Sequence, residues 1–232
     1  MDLSNRLLEI TKFVPKGSVV ADIGTDHGYI PVYLVEKEIS ERVIASDISP
    51  ASLEKTVEYV NRMKLQDKIQ TRVGDGLKVL KPAEVDTVII AGMGGILISN
   101  ILEESREVTD TIDTFILQPM VASYELRKYL TANGFKIVEE SLAKEGRRLY
   151  EIIIVKRGEE IIAKDIYYEI GPRLIEKKHP LLKDFIAWKK QEVEDIIRKL
   201  EEASIERVRD RYEDMTKKLA EYEEVERKIE GS

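Results

Sequence analysis

Short β-rich runs alternating with helical patterns fill residues 1–157 of this 232-residue chain, and that alternation leaves few folds open. The runs are Val19–Ile23, Val43–Asp47, Ile69–Val73, Thr87–Ala91, Thr114–Leu117, Lys136–Ser141 and Leu149–Val155. Helical stretches fall around Tyr29–Lys37, Ala51–Met63, Ile96–Glu104 and Ser123–Ala132. Gly74–Asp86 has room for only a short helix. Apolar strands joined by helices imply a parallel sheet covered on both faces. The last two runs are separated only by the polar link Ala143–Arg148, which predicts an antiparallel hairpin. Five or six parallel strands plus one reversed strand is the arrangement expected of a class I methyltransferase (Rossmann-like) sheet of seven strands. It argues against a plain dinucleotide-binding fold.

The character changes after Gly158. Residues 172–232 are highly charged and poor in glycine. Val208, Tyr212, Met215, Leu219, Tyr222, Val225 and Ile229 recur at three- and four-residue steps, as do Leu182, Ile186, Val193, Ile197 and Leu200. Ala203–Ser204 lies between the two stripes. The spacing predicts two amphipathic helices folded back as an antiparallel coiled coil, with one long dimerising helix as the alternative. The expected organisation is therefore a 1–157 α/β domain and a 158–232 helical extension, in a monomer or weak homodimer.

The absence of cysteine excludes disulfides and thiolate chemistry, and two histidines, His27 and His179, make a histidine-rich metal site improbable, so no metal is expected. The start, MDLSNRLLEITKFVPKG, is too charged for a signal peptide, and no apolar run is long enough to cross a bilayer. A cytoplasmic protein with no membrane partner is expected. The formal charge of −7 does not advertise nucleic-acid binding, so any such partner has to be held by local basic patches.

The turns after the strands carry the chemistry. Asp22-Ile23-Gly24-Thr25-Asp26-His27-Gly28-Tyr29 ends a buried strand in a glycine turn and opens a helix. Glycines there let the backbone approach a ligand. The second strand ends in Asp47, a position from which a carboxylate accepts hydrogen bonds from both ribose hydroxyls of a nucleoside. Ser49 before Pro50 is the better cap for the next helix, which leaves Asp47 for a ligand. Gly74-Asp75-Gly76 ends the third strand, and Asp75 is a candidate acceptor for an adenine amino group. Ala91-Gly92-Met93-Gly94-Gly95 ends the fourth, and Gln118-Pro119 the fifth. Ligands of open α/β sheets bind outside the carboxyl ends of the strands, and here five consecutive ends carry glycine, acid, amide or proline.

The string Asp22-Ile23-Gly24-Thr25-Asp26-His27-Gly28-Tyr29-Ile30-Pro31, followed by the turns at Gly74–Leu77 and Ala91–Gly95, closely resembles the bacterial TrmK family of tRNA (adenine(22)-N(1))-methyltransferases. The resemblance covers the α/β domain in order and extends to the helical extension, with Thr25 and Gly28 where Ser and Ala are more usual. It implies S-adenosylmethionine as cofactor and an adenine in the tRNA D-loop as target. It implies cofactor contacts at Asp22, Gly24, Asp26, His27, Gly28, Asp47, Ile48, Gly74, Asp75, Gly76 and the turn Gly92, Met93, Gly94, Gly95. Asp26, His27, Tyr29, Gln118 and Pro119 are the candidates for the reacting centre. Asp26 would stabilise a cationic product, Gln118 would hold the adenine edge and Tyr29 would stack on the base. Arg127, Lys128, Lys144, Arg147 and Arg148 are candidate phosphate ligands, joined by Lys177, Lys178 and Lys183 of the early extension. Residues 172–200 hold eight Lys/Arg against five Asp/Glu, whereas 201–232 hold seven against eleven, so the first half is expected to face tRNA. From the residues alone, a methyltransferase with a small-molecule or protein substrate, a non-catalytic interaction protein and a nicotinamide oxidoreductase stay open.

Overall fold

Parallel strands buried on both faces have to be almost wholly apolar, and Val20–Ile23 (β1), Val43–Asp47 (β2), Thr87–Met93 (β4) and Thr114–Pro119 (β5) meet that requirement. Ile69–Val73 (β3), Phe135–Glu145 (β6) and Arg148–Arg157 (β7) complete the sheet. Its order is β3-β2-β1-β4-β5-β7-β6. β7 runs antiparallel to both of its neighbours, and the pairs from β3 to β5 are parallel. This is the seven-stranded, mostly parallel class I methyltransferase arrangement expected from the sequence. The computed structural model describes residues 3–202 and 205–230, and the chain divides into two compact units, Met1–Ile161 and Ile162–Ser232.

In the first unit the helices are Asn5–Thr11 (α1), Tyr29–Glu36 (α2), Pro50–Arg62 (α3), Gly95–Glu104 (α4), Arg106–Thr109 (α5) and Ser123–Ala132 (α6). A single 3-10 turn, Gly76–Val79, occupies the short gap after β3. The hairpin is tighter than expected. β6 continues through Lys144 and Glu145, so only Gly146-Arg147 connects it to β7. Polar residues at a sheet edge keep their ladder bonds, which period-two hydrophobicity does not report. Helix α1 was not expected at all. Ser4 caps it by accepting from the Leu7 N–H, and Ile10 joins the core. Glu9 accepts from the Ser141 hydroxyl at 2.8 Å and Asn5 donates to the Lys144 carbonyl, which ties α1 to β6.

One candidate phosphate ligand has to be withdrawn. Arg127 is completely buried beneath the hairpin. Its Nε donates to Glu140 at 2.7 Å and its Nη2 to Glu151 at 2.6 Å, and the Ser123 hydroxyl donates to Glu151 at 2.7 Å. Burial opposes its charge, and the two carboxylates outweigh burial and hold it ionised. A guanidinium sealed between two acids and closed off from solvent is out of reach of RNA.

The second unit contains Ile166–Ile170 (α7), Pro172–Glu176 (α8), Leu182–Glu201 (α9) and Ile205–Glu230 (α10). α9 and α10 are antiparallel, since Lys183 pairs with Glu230 at 3.0 Å at one end and Tyr212 reaches Glu201 at 3.3 Å near the other. Leu182, Ile186, Val193 and Leu200 are buried along α9, and Tyr222 and Val225 face them from α10. The rest of the α10 stripe is half-buried. Ala203–Ser204, between the two predicted stripes, lies outside the described residues. Among the described residues no helix is long and apolar enough to cross a membrane, and no group of three His, Asp or Glu is placed to hold a metal.

Candidate active site

The strand order reverses between β1 and β4, which is where open α/β sheets bind ligands. At the end of β1 the chain turns at Gly24, whose φ of +76° favours glycine. The N–H groups of Gly24 and Thr25 both donate to the Ser46 carbonyl at 2.8 Å, so this turn is pinned to the end of β2. Asp47 follows Ser46, and one of its oxygens accepts from the Ser49 N–H at 2.7 Å. Ser49 in turn caps α3, with Pro50 at the first helical position, as expected. Asp47 is therefore half committed to its own turn and presents the rest of its carboxylate inward.

These ends surround a cavity of about 620 Å³, in the range that takes a nucleoside-sized ligand. Asp22, Asp26 and Asp47 are its carboxylates. Leu7, Ile30, Met93 and Met120 give it an apolar wall, and Gly24, Tyr29 and Gly92 also border it. Arg6 of α1 is the one cation among the described residues that line it. Burial, with the nearby Asp47 charge adding to it, pushes the Asp22 carboxyl up from 3.8 to about 6.

Several expected ligands stand elsewhere. Gln118 is fully buried and its amide is spent, because its oxygen accepts from Arg6 at 2.6 Å and from the Gly92 N–H at 3.1 Å and its nitrogen donates to the Pro119 carbonyl. It positions Arg6 and Gly92 and has nothing left to hold an adenine edge. Pro119 is buried as well. Gly95 is set by packing: a Cβ there would meet the Ala122 carbonyl oxygen at 2.1 Å. Gly28 lies against Thr56 of α3, and Gly94 is close to Val121. Asp75, between Gly74 and Gly76, is paired with Lys78 at 2.7 Å one strand further out and does not line the cavity. Ile48 is two-thirds exposed and does not line it either. The His27 ring stacks on Tyr29 and borders a separate, smaller depression.

Arg6 is the residue that the strand-end reasoning missed. Its backbone N–H donates to Glu145 at 2.7 Å and its guanidinium lies 5.4 Å from the centre of the Tyr150 ring. The available signal was Ser4 ahead of Asn-Arg-Leu-Leu, an N-cap followed by a helical pattern.

Ionised Asp22 costs stability. Its folded value lies above its unfolded one, so the folded state holds an extra proton between about pH 4 and 6. Stability from this group is full below about pH 4 and is lost as pH rises through about 6. Asp22→Asn is expected to stabilise the ligand-free protein above pH 6 by up to about 3 kcal/mol and to leave stability unchanged near pH 4. Denaturant titrations at the two pH values check this; equal stabilisation at both would remove the ionised-carboxylate explanation.

A reversed strand in an otherwise parallel sheet, with acidic and glycine turns around one cavity at the switch point, defines a class I methyltransferase. Residues 3–153 match the family model described as a methyltransferase domain. The chain is 34% identical over 165 residues to the tRNA (adenine(22)-N(1))-methyltransferase of Bacillus subtilis, covering 71% of this chain and 69% of that protein. Among solved structures, B. subtilis TrmK aligns with a TM-score of 0.87 at 28% identity, over 97% of this chain and 98% of that one. Sp1610 of Streptococcus pneumoniae, in complex with S-adenosyl-L-methionine, aligns with a TM-score of 0.86 at 31% identity, over 97% and 99%. The chain belongs to the TrmK family of tRNA (adenine(22)-N(1))-methyltransferases.

Proposed function

We infer that this protein transfers a methyl group from S-adenosylmethionine to N1 of the D-loop adenine at position 22 of tRNA, the reaction named for its B. subtilis relative. The observation that carries the reading is the single cavity at the switch point, walled by three carboxylates and bordered by Gly24 and Gly92. The donor set fits this cofactor. Asp47 suits the ribose hydroxyls, Asp22 and Asp26 suit the ammonium and sulfonium charges, and Arg6 suits the α-carboxylate.

The cofactor supplies an electrophilic sulfonium methyl. Adenine N1 already carries a lone pair, so the protein needs alignment more than a base. Orientation of this kind is worth up to roughly 7–11 kcal/mol. Tyr29 provides a ring against which the base stacks. Leu7, Ile30, Met93 and Met120 keep water from the transfer path. The immediate product is a cationic adenine, and Asp26, whose side chain is 77% exposed, places negative charge beside it. N1 is on the pairing edge, so the target has to be unpaired before transfer. Thermal shift tests the cofactor half of this reading: S-adenosylmethionine should raise the melting temperature and NAD should not. Protection by NAD alone would favour an oxidoreductase.

The division of labour follows the charge. Residues 1–157 bind cofactor and target base, and within the 158–232 extension the basic first half, residues 172–200, adds tRNA contacts. Lys177, Lys178 and Lys183 are exposed, Lys183 in a surface pair with Glu230 that contributes little. On the first unit Lys128, Lys144, Arg147 and Arg148 are exposed and keep their candidacy. Charge reversal of Lys177, Lys178 and Lys183 together is expected to weaken tRNA binding at least tenfold and to flatten its salt dependence, with cofactor affinity unchanged. Unchanged affinity across a salt series would take the extension out of RNA recognition.

A further inference from the structure

A second depression, of about 180 Å³, lies between α2 and α3 and shares Tyr29 with the large cavity. Three rings form its floor. His27 and Tyr29 stack with centroids 5.3 Å apart and planes 14° from parallel, and Tyr59 meets Tyr29 edge-on at 5.8 Å. Lys55, Glu58 and Arg62, all exposed on α3, form its rim. Arg62 lies over the Tyr59 ring, 5.0 Å from its centre. Glu58 stands one helical turn from both cations, yet among the described residues neither Lys55 nor Arg62 has a carboxylate within ion-pair distance. His27 is also held at φ +61°, a left-handed conformation that costs a non-glycine residue about 1 kcal/mol, with its side chain 37% exposed.

We propose that this depression is a nucleotide subsite for the RNA residue adjacent to the target adenine. This rests on the tRNA methylation reading above and extends it. Drawing one base out of its stack leaves its neighbour with an exposed face, and aromatic platforms flanked by cations are how proteins hold such single-stranded nucleotides. The neighbour's base stacks on the His27 ring, which is itself backed by Tyr29, and its phosphate sits between Lys55 and Arg62. Glu58 is an acceptor for a ribose 2′-hydroxyl, the group that distinguishes RNA from DNA. Tyr29, common to both cavities, sets the distance between target and neighbour.

Steady-state methylation of unmodified tRNA by the full-length protein tests this. Lys55→Ala/Arg62→Ala should raise KM for tRNA about tenfold, with kcat at saturating tRNA and cofactor affinity unchanged. The slope of log affinity against log salt should become shallower by about 0.7 for the lost phosphate contact. His27→Gly removes the ring and frees the backbone, so it should raise KM for tRNA several-fold without lowering the melting temperature. Wild-type KM and salt slope in the double variant would overturn the phosphate site, and wild-type KM in His27→Gly would overturn the stacking platform. If the wild-type protein itself leaves tRNA unmethylated, the underlying reading fails and takes the subsite with it.

Discussion

Replacing Asp47 with alanine should raise the dissociation constant for S-adenosylmethionine about 100-fold. Asp47 ends β2 at the cavity wall, and its carboxylate is the group placed to accept both ribose hydroxyls. Hydrogen bonds to a charged group contribute about 1.5–3 kcal/mol each, and a loss near 3 kcal/mol corresponds to roughly two orders of magnitude in affinity. The Ser49 N–H loses its partner too, but Ser49 still caps α3, so the fold should survive. Isothermal titration calorimetry checks the affinity and circular dichroism the fold. A dissociation constant within threefold of wild type would mean that the nucleoside does not sit on β2.

Replacing Arg127 with alanine should destabilise the protein by about 3–5 kcal/mol, because it strips the guanidinium from two buried carboxylates, Glu140 and Glu151. For a chain of this size that is a fall of roughly 10 °C in melting temperature. Arg127→Lys should recover only part of the loss, since one ammonium does not reproduce a guanidinium bridging two carboxylates. Calorimetric melting decides it. If Arg127 bound phosphate at the surface, the alanine variant would melt normally and bind tRNA less tightly.

Arg127 belongs to the core and not to the RNA-facing surface expected for it. Ser123, Leu126, Arg127 and Leu130 stand at helical spacing on one buried face of α6, so the placement was legible in the stripe. The two acids that claim Arg127, Glu140 and Glu151, lie on the hairpin 13 and 24 residues away, which local spacing does not report. The strand ends were legible because buried parallel strands need apolar runs and the turns that follow need glycine and acid. That reasoning pointed to Gly24, Asp47 and Gly92, and the family resemblance added Asp22, Asp26, Tyr29 and Met93; all of them line one cavity. It misplaced Gln118, Gly95 and Asp75, because a residue type at a strand end does not say which way its side chain is spent. Gln118 props Arg6, Gly95 makes room for the Ala122 carbonyl and Asp75 holds Lys78. The role of α1 in walling the cavity depends on long-range bonds to β6 and Glu145, which local periodicity does not encode.

The most direct measurement is mass spectrometry of unmodified tRNA after incubation with the protein and S-adenosylmethionine, with the added mass mapped to its nucleotide. The expected product carries one methyl group on N1 of the D-loop adenine. Methylation of a different atom or nucleotide, or none under conditions in which the cofactor is bound, would contradict the proposed reaction.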